Sequence, residues 1–212
     1  TMKYIKSKYY YCSSWAGWAE QGDSPKSNIG DLSVLDPTTN TDLLSELNPN
    51  IVLVGLNISS TSGGSIEPFR NFHSPMPRAT DYKIRYAAQN TPLWGAYITD
   101  IIKNFPERVS VKVSKYLRDN REVETENVRF FQNELHDIGA CNPTLIAFGN
   151  DTFSILKRNL QDDYKILKIP HYAHYISKEK YREQVAEVCL SVMGGGGAGC
   201  WGGVWAVCLL GP

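Results

Sequence analysis

IVLVGL, residues 51–56, is a continuous apolar run with β-branched side chains, the pattern of a strand buried on both faces of a parallel sheet. Similar runs follow at 96–102, 144–149 and 164–169, which read AYITDII, TLIAFG and YKILKI. Segments of helical pattern lie at 81–89, 122–138, 151–159 and 178–192. Strands that alternate with helices predict an α/β domain in which a central four-stranded parallel sheet lies between two helical layers, a three-layer α/β/α arrangement.

The length of 212 residues favours one domain, which we place at 1–192. Residues 1–49 lack a sustained period and are expected to be irregular, apart from a short helix at Thr41–Leu47. The segment 193–212, MGGGGAGCWGGVWAVCLLGP, has a different composition, and its Gly runs predict a disordered tail.

Composition indicates an ordinary globular protein. Hydrophobic residues make up 42% and charged residues 21%. The five cysteines form no CxxC pair, so neither a zinc site nor a disulfide framework is expected. The beginning of the chain lacks the apolar region of a secretory signal, and no run of about 18 apolar residues is present. We expect a cytoplasmic protein with no membrane partner.

A local basic patch contrasts with the formal net charge of zero. Between residues 101 and 121 there are six basic residues and two acidic ones. Lys103, Arg108 and Lys112 of this patch are our candidates for DNA contacts. A solvated loop and helix face would give the same pattern.

Parallel α/β sheets bind ligands at the carboxyl ends of their strands. This rule directs attention to the segments 57–73, 100–106 and 171–177, where we expect the functional residues to lie.

Four segments together resemble the uracil-DNA glycosylase superfamily, over roughly residues 50–188. NIVLVGLNIS is similar to the first motif of its mismatch-specific and single-strand-selective branches, a strand that ends in Gly-hydrophobic-Asn-Pro. WGAYITDIIKNFPE and NPTLIAFGNDTFSIL look like the second and third strands, and IPHYAHYIS resembles the last motif, which usually begins His-Pro-Ser. The resemblance implies a glycosylase-like fold, without the iron–sulfur cluster of some branches, and a DNA glycosylase that acts in base-excision repair.

That activity hydrolyses the N-glycosidic bond of a base flipped out of the DNA stack. The resemblance assigns Asn57 to orienting the attacking water, a role that suits an amide carbonyl. It assigns His171 to hydrogen bonding with the oxygen of the leaving base, and His174 is the counterpart if the register differs. Both catalytic candidates have a structural alternative: Asn57 in a strand-end turn, and His171 as a surface or core histidine.

The resemblance further assigns Gly55, Phe69 and Asp100 to binding the base. Phe69 is the candidate for stacking on it, with Phe72 as its competitor, and either ring could instead fill the core. Asp100 stands where bacterial branches carry Asn, which pairs with uracil through one donor and one acceptor. An ionised carboxylate only accepts. Asp100 is therefore protonated by burial, reads a base with two donors, or points elsewhere.

The chain departs from the family pattern in two further places, at Ile58 and at Tyr172–Ala173, where the family has Pro and Pro-Ser. Three alternatives therefore remain beside a glycosylase. They are a non-catalytic nucleic-acid or nucleotide-binding protein, a hydrolase of free nucleosides, and a domain whose site residues are structural. We expect no metal and no cofactor, damaged DNA as the partner, and a monomer.

Overall fold

The computed structural model describes residues 2–58 and 67–193, which form seven α-helices and one five-stranded sheet. The α/β class predicted from the sequence is therefore confirmed. The helices are α1 Met2–Lys8, α2 Leu43–Glu46, α3 Tyr82–Ala88, α4 Ser110–Asp119, α5 Arg121–Asp137, α6 Gly149–Leu160 and α7 Lys178–Met193. The strands are β1 Ser13–Trp15, β2 Asn48–Asn57, β3 Ala96–Ile102, β4 Thr144–Phe148 and β5 Lys165–Ile169, and one turn of 3-10 helix covers Ser33–Leu35.

The sheet has the strand order β1-β3-β2-β4-β5. Strand β2 pairs in parallel with β3 on one side and with β4 on the other, and β4 pairs in parallel with β5. Strand β1 pairs antiparallel with β3. The expectation of four strands thus missed β1, which a sequence of Ser13, Ser14 and Trp15 does not reveal as a strand. The parallel pairs bring the carboxyl ends of β2, β3, β4 and β5 to one edge of the sheet.

Residues 51–56 of β2 and all of β3 are buried. Because successive residues of a strand point to opposite sides, both faces of the sheet are covered at these strands. Val52 and Val54 belong to a hydrophobic core that includes side chains of α4, α5 and α6. Ile51 and Leu53 belong to a second core that includes side chains of α3 and α7. Gly55 and Asn57 continue the alternation of Ile51 and Leu53, and therefore face the α3 and α7 side.

The N-terminal segment is more ordered than its composition indicates. Residues 1–49 were expected to be irregular, but α1 and β1 lie within them, and Ile5, Tyr9 and Trp15 are buried in the first core. Helix α4 was also unpredicted, and it carries much of the basic patch. The disordered tail was expected to begin at residue 193, but Met193 is the last residue of α7. The rest of the expected tail, 194–212, lies outside the described residues.

In the described part of the chain, no helix has the length and apolar character needed to cross a bilayer.

Candidate functional site

Side chains from four strand ends meet at the carboxyl edge of the sheet, on the side of α3 and α7. Gly55 of β2 pairs with Asp100 of β3. A Cβ atom on Gly55 would overlap Oδ1 of Asp100 and would lie 3.3 Å from Cζ of Phe72. Glycine is therefore required for this close approach. We call the group assembled here the edge cluster; its members are Gly55, Asn71, Phe72, Asp100, Phe148, His171 and Tyr172.

Asp100 is the buried carboxyl group of the edge cluster, with 4% of its surface exposed. Nδ2 of Asn71 donates a hydrogen bond of 2.9 Å to its Oδ2. Burial raises the pKa of Asp100 to about 6, although the bond from Asn71 and the charge of Lys103 oppose this shift. Near neutral pH the carboxyl group can thus exist with or without its proton.

Phe72 forms the aromatic wall of the edge cluster. Its ring centroid lies 6.2 Å from that of Phe148 and 6.3 Å from that of Tyr172. Its φ of 67° is in the left-handed region, which an aromatic residue adopts at a cost of about 1 to 2 kcal/mol. The surrounding structure holds this conformation, since Nε1 of Trp18 donates to the Phe72 carbonyl at 3.4 Å.

His171 is exposed at the edge of this wall. Its ring stacks on Tyr172 with 4.5 Å between centroids, and it meets Phe148 edge-on at 6.3 Å. The backbone N–H of Ala173 donates to Nδ1 at 3.1 Å. Because Nδ1 accepts, the proton of the neutral ring lies on Nε2, which is left as a donor. Desolvation lowers the pKa of His171, which favours this neutral form.

Asn57 closes β2, and its half-buried side chain is held at one end. Nδ2 donates to the carbonyls of Ile58, Phe105 and Glu107 at 3.1, 3.0 and 2.8 Å. Three carbonyl acceptors define which end of the amide carries the nitrogen. The side-chain carbonyl oxygen therefore points the other way, and within 2–58 and 67–193 no hydrogen-bond donor is found on it.

Two predicted base-binding residues take other positions. Phe69 is 1% exposed and packs in the core on the α5 and α6 side, away from the edge cluster. This placement corrects the expectation that Phe69 stacks on a base. His174 is exposed, and its backbone carbonyl accepts a bond of 2.9 Å from Lys83, which ties the 171–177 segment to α3.

The predicted DNA-contacting residues divide into two groups. Arg108 and Lys112 are exposed, and Arg108 follows Glu107, whose carbonyl holds Asn57. Lys103 is buried and forms an ion pair of 2.8 Å with the buried Glu134. Burial opposes its charge, but the Glu134 carboxylate raises the pKa of Lys103 above its usual value. A buried ammonium group does not reach a phosphate, so the expectation for Lys103 is corrected.

Two surface cavities of the described residues contain no residue of the edge cluster. The larger, of about 310 Å³, is lined by Ser24, Pro25, Lys26, Tyr82 and Lys178. The other is lined by Asn104, Glu126, Arg129, Phe130 and Asn133. Within 2–58 and 67–193, no three side chains of His, Cys, Asp or Glu assemble as a metal site would require.

Comparison with protein-family models, with curated proteins and with solved structures finds no match for this chain.

Sequence reasoning did not single out Asn71 and Tyr172 as members of the site. Asn71 stands next to Phe72 in FRNFH, and a polar residue beside a candidate stacking residue was an available signal. Tyr172 was treated as a departure from a motif, whereas its ring contacts those of Phe72, Phe148 and His171. The predicted segment 57–73 is described only in part, because residues 59–66 lie outside the described residues.

Proposed function

We propose that this chain is a DNA glycosylase of the uracil-DNA glycosylase type, which hydrolyses the N-glycosidic bond of a deaminated or damaged base flipped out of DNA. In this proposal β2, β3, β4 and β5 are the four-stranded parallel core of that fold, and β1 is an added edge strand. DNA is the partner, contacted through Arg108 and Lys112.

The orientation of the Asn57 amide carries the proposal. Its nitrogen is engaged by three backbone carbonyls, so the side chain presents a fixed acceptor at the carboxyl end of β2. A fixed acceptor that is not a strong base suits the orientation of a water molecule for attack on a sugar carbon.

His171 supports the second half of the reaction. A base leaving a sugar carries away the electron pair of the broken bond and develops negative charge on its oxygen. A neutral imidazole that carries its proton on Nε2 can donate a hydrogen bond to that oxygen directly, because no change in its protonation is needed. The bond from Ala173 to Nδ1 and the lowered pKa of His171 both favour this state.

In the proposed hydrolysis, water replaces the base on the sugar. The water oxygen forms a bond to C1′ of the deoxyribose as the bond from C1′ to the base nitrogen breaks. The base departs with that electron pair, and the proton released from the water finally neutralises it. The products are an abasic site and a free base.

One observation favours a second candidate function, nucleic-acid binding without catalysis. The ring centroid of Tyr172 lies 5.2 Å from that of Phe148 and 4.5 Å from that of His171, so the ring occupies space beside the aromatic wall of Phe72, on which a flipped base would stack. A flipped base would require this ring to move. A chain that binds DNA without accepting a flipped base would not require the Tyr172 ring to move.

The test is release of free base from labelled oligonucleotides that carry uracil, hypoxanthine, xanthine or a mismatched thymine. We expect Asn57→Ala and His171→Ala to lower release by about a hundredfold or more, the range of a single electrostatic contribution. His136→Ala is the matched control, because it removes an exposed histidine in the last turn of α5, whereas His174 is itself the alternative candidate. Thermal unfolding of each variant separates loss of chemistry from loss of fold.

No release from any of these lesions by the folded wild-type protein, together with measurable DNA binding, would establish the second candidate. Release that is insensitive to both substitutions would remove Asn57 and His171 from the mechanism.

A further inference from the structure

Asn71 contacts Asp100 in a way that distinguishes its two carboxyl oxygens. Nδ2 of Asn71 donates both to Oδ2 of Asp100 at 2.9 Å and to the carbonyl of Cys12 at 3.0 Å. The amide is thus anchored to the backbone on one side and to one carboxyl oxygen on the other. Oδ1 lies against Gly55, on the side of Phe72.

Asp100 lacks a salt-bridge partner among residues 2–58 and 67–193. The nearby Lys103 ammonium instead pairs with Glu134 of α5 and donates to the Asp100 backbone carbonyl. The other titratable groups facing Asp100 are Cys12, which precedes β1, and Tyr172, which follows β5. A buried carboxyl group in such surroundings retains its proton more readily than one in water.

We propose that Asp100 determines the specificity of the site as a neutral carboxylic acid, and that Asn71 is its positioning residue. Asn71 keeps Oδ2 as an acceptor, so the proton is placed on Oδ1. The acid then pairs with a lactam edge, an N–H beside a keto oxygen, as in uracil, thymine, hypoxanthine and xanthine. The inference rests on the proposed function.

The pairing follows from the two oxygens. Oδ1–H donates to the keto oxygen of the base, and the second lone pair of Oδ2 accepts the ring N–H. The ionised group has no proton to donate and would repel the keto oxygen. It would therefore bind a lactam edge poorly, although Asn71 remains in place.

This arrangement predicts a characteristic pH profile. Because burial raises the pKa of Asp100 to about 6, release of uracil should fall as pH rises above about 6, approaching tenfold per unit. Asp100→Asn supplies a permanent donor and acceptor, so its rate should not fall between pH 6 and 8. At pH 8 the variant should exceed the wild type.

Asn71→Ala tests the positioning role. Without the N–H that stabilises the anion, the pKa of Asp100 should rise, and the falling limb should move up by about one pH unit. Asn133→Ala removes an exposed amide on α5 and should leave the profile where it is. A ¹³C NMR titration of the Asp100 carboxyl in the folded protein should give the same shift without reference to activity.

The outcomes separate this inference from the proposed function. A wild type that releases base with an alkaline limb retained in Asp100→Asn overturns the inference and leaves the glycosylase in place. A carboxyl that titrates near 4 overturns the neutral acid, and one that Asn71→Ala does not affect overturns the positioning role, whatever the activity. Absence of release at every pH removes both proposals.

Discussion

Lys103 and Glu134 meet in the protein interior with 2.8 Å between Nζ and Oε2, and their side chains are 1% and 0% exposed. Tyr97 and Thr99 donate to the same carboxylate at 2.7 and 2.8 Å. Lys103→Ala leaves this carboxylate buried and uncompensated, so it should lower the free energy of unfolding by about 3 to 5 kcal/mol. Lys112→Ala, which removes an exposed lysine, should change it by at most about 0.5 kcal/mol. Urea unfolding of both variants measures the difference, and equal effects would contradict the buried pair.

His73 makes stability depend on acid. The ring is fully buried between β1 and Trp18, and burial lowers its pKa to about 4. The unfolded chain then binds a proton below about pH 6.5 that the folded chain does not, so this contribution to stability is present above 6.5 and lost as pH falls toward 4. Between pH 7 and 4.5 we expect a loss of about 2 to 3 kcal/mol from this group. The loss should be absent in His73→Gln and retained in His136→Ala, whose ring is exposed; urea unfolding at both pH values measures it.

Gly55→Ala tests the close approach at the carboxyl edge. The added methyl group would overlap Oδ1 of Asp100, so we expect a loss of about 1 to 3 kcal/mol in stability and loss of base release. Gly17→Ala is the matched control, since its Cβ would meet only Cδ2 of Leu35 at 3.4 Å. Calorimetry and the base-release assay together are decisive, and an active Gly55→Ala enzyme would place the site elsewhere.

Phe72 and Phe69 form a second matched pair, because both are buried and both have a φ of 67°. Replacement of either by Leu should lower stability by about 1 to 2 kcal/mol. Only Phe72→Leu should also lower kcat/KM, by about tenfold, because in the proposed function a base stacks on its ring and not on that of Phe69. Steady-state kinetics on a uracil-containing oligonucleotide distinguishes the two, and the opposite ranking would restore Phe69.

Arg108 and Lys112 should contact phosphate. Removal of one phosphate contact lowers the slope of log K against log salt concentration by about 0.9 in magnitude. We expect this change for Arg108→Ala and for Lys112→Ala, measured by fluorescence anisotropy with a labelled duplex. Lys165 lies at the amino end of β5, so Lys165→Ala should leave the slope unchanged. Unchanged slopes in all three variants would mean that DNA binds another surface.

The parallel strands were predictable because burial on both faces leaves a local signal. The predicted run at 96–102 has the same bounds as β3, and the predicted run at 144–149 extends one residue beyond the end of β4. Strand β1 was not predictable, since its three residues are held by pairing with β3, about 80 positions away. The local pattern of apolar and polar residues contains no signal of pairing with such a distant strand.

The site shows the same division. The rule that ligands bind at strand ends directed attention to Asp100 and His171, and the family resemblance to Gly55; the fold brings all three to one edge. Lys103 was misplaced because charge counting treats every lysine as exposed, and its partner Glu134 lies on another element. Phe69 and Phe72 share a φ of 67°, yet their rings lie in different cores, a difference that the tertiary packing sets and that residue type does not reveal.

The two borders of the sheet resist intermolecular strand addition in different ways. On one side β1 covers the part of β3 from Tyr97 to Thr99, and β1 is itself only three residues long. On the other side β5 carries the exposed charges of Lys165 and Lys168, which discourage another strand from docking. Loss of the first fifteen residues would therefore do more than remove a small helix and strand: it would expose the backbone groups of Tyr97, Ile98 and Thr99 on an otherwise buried strand, and we expect such a truncated chain to aggregate.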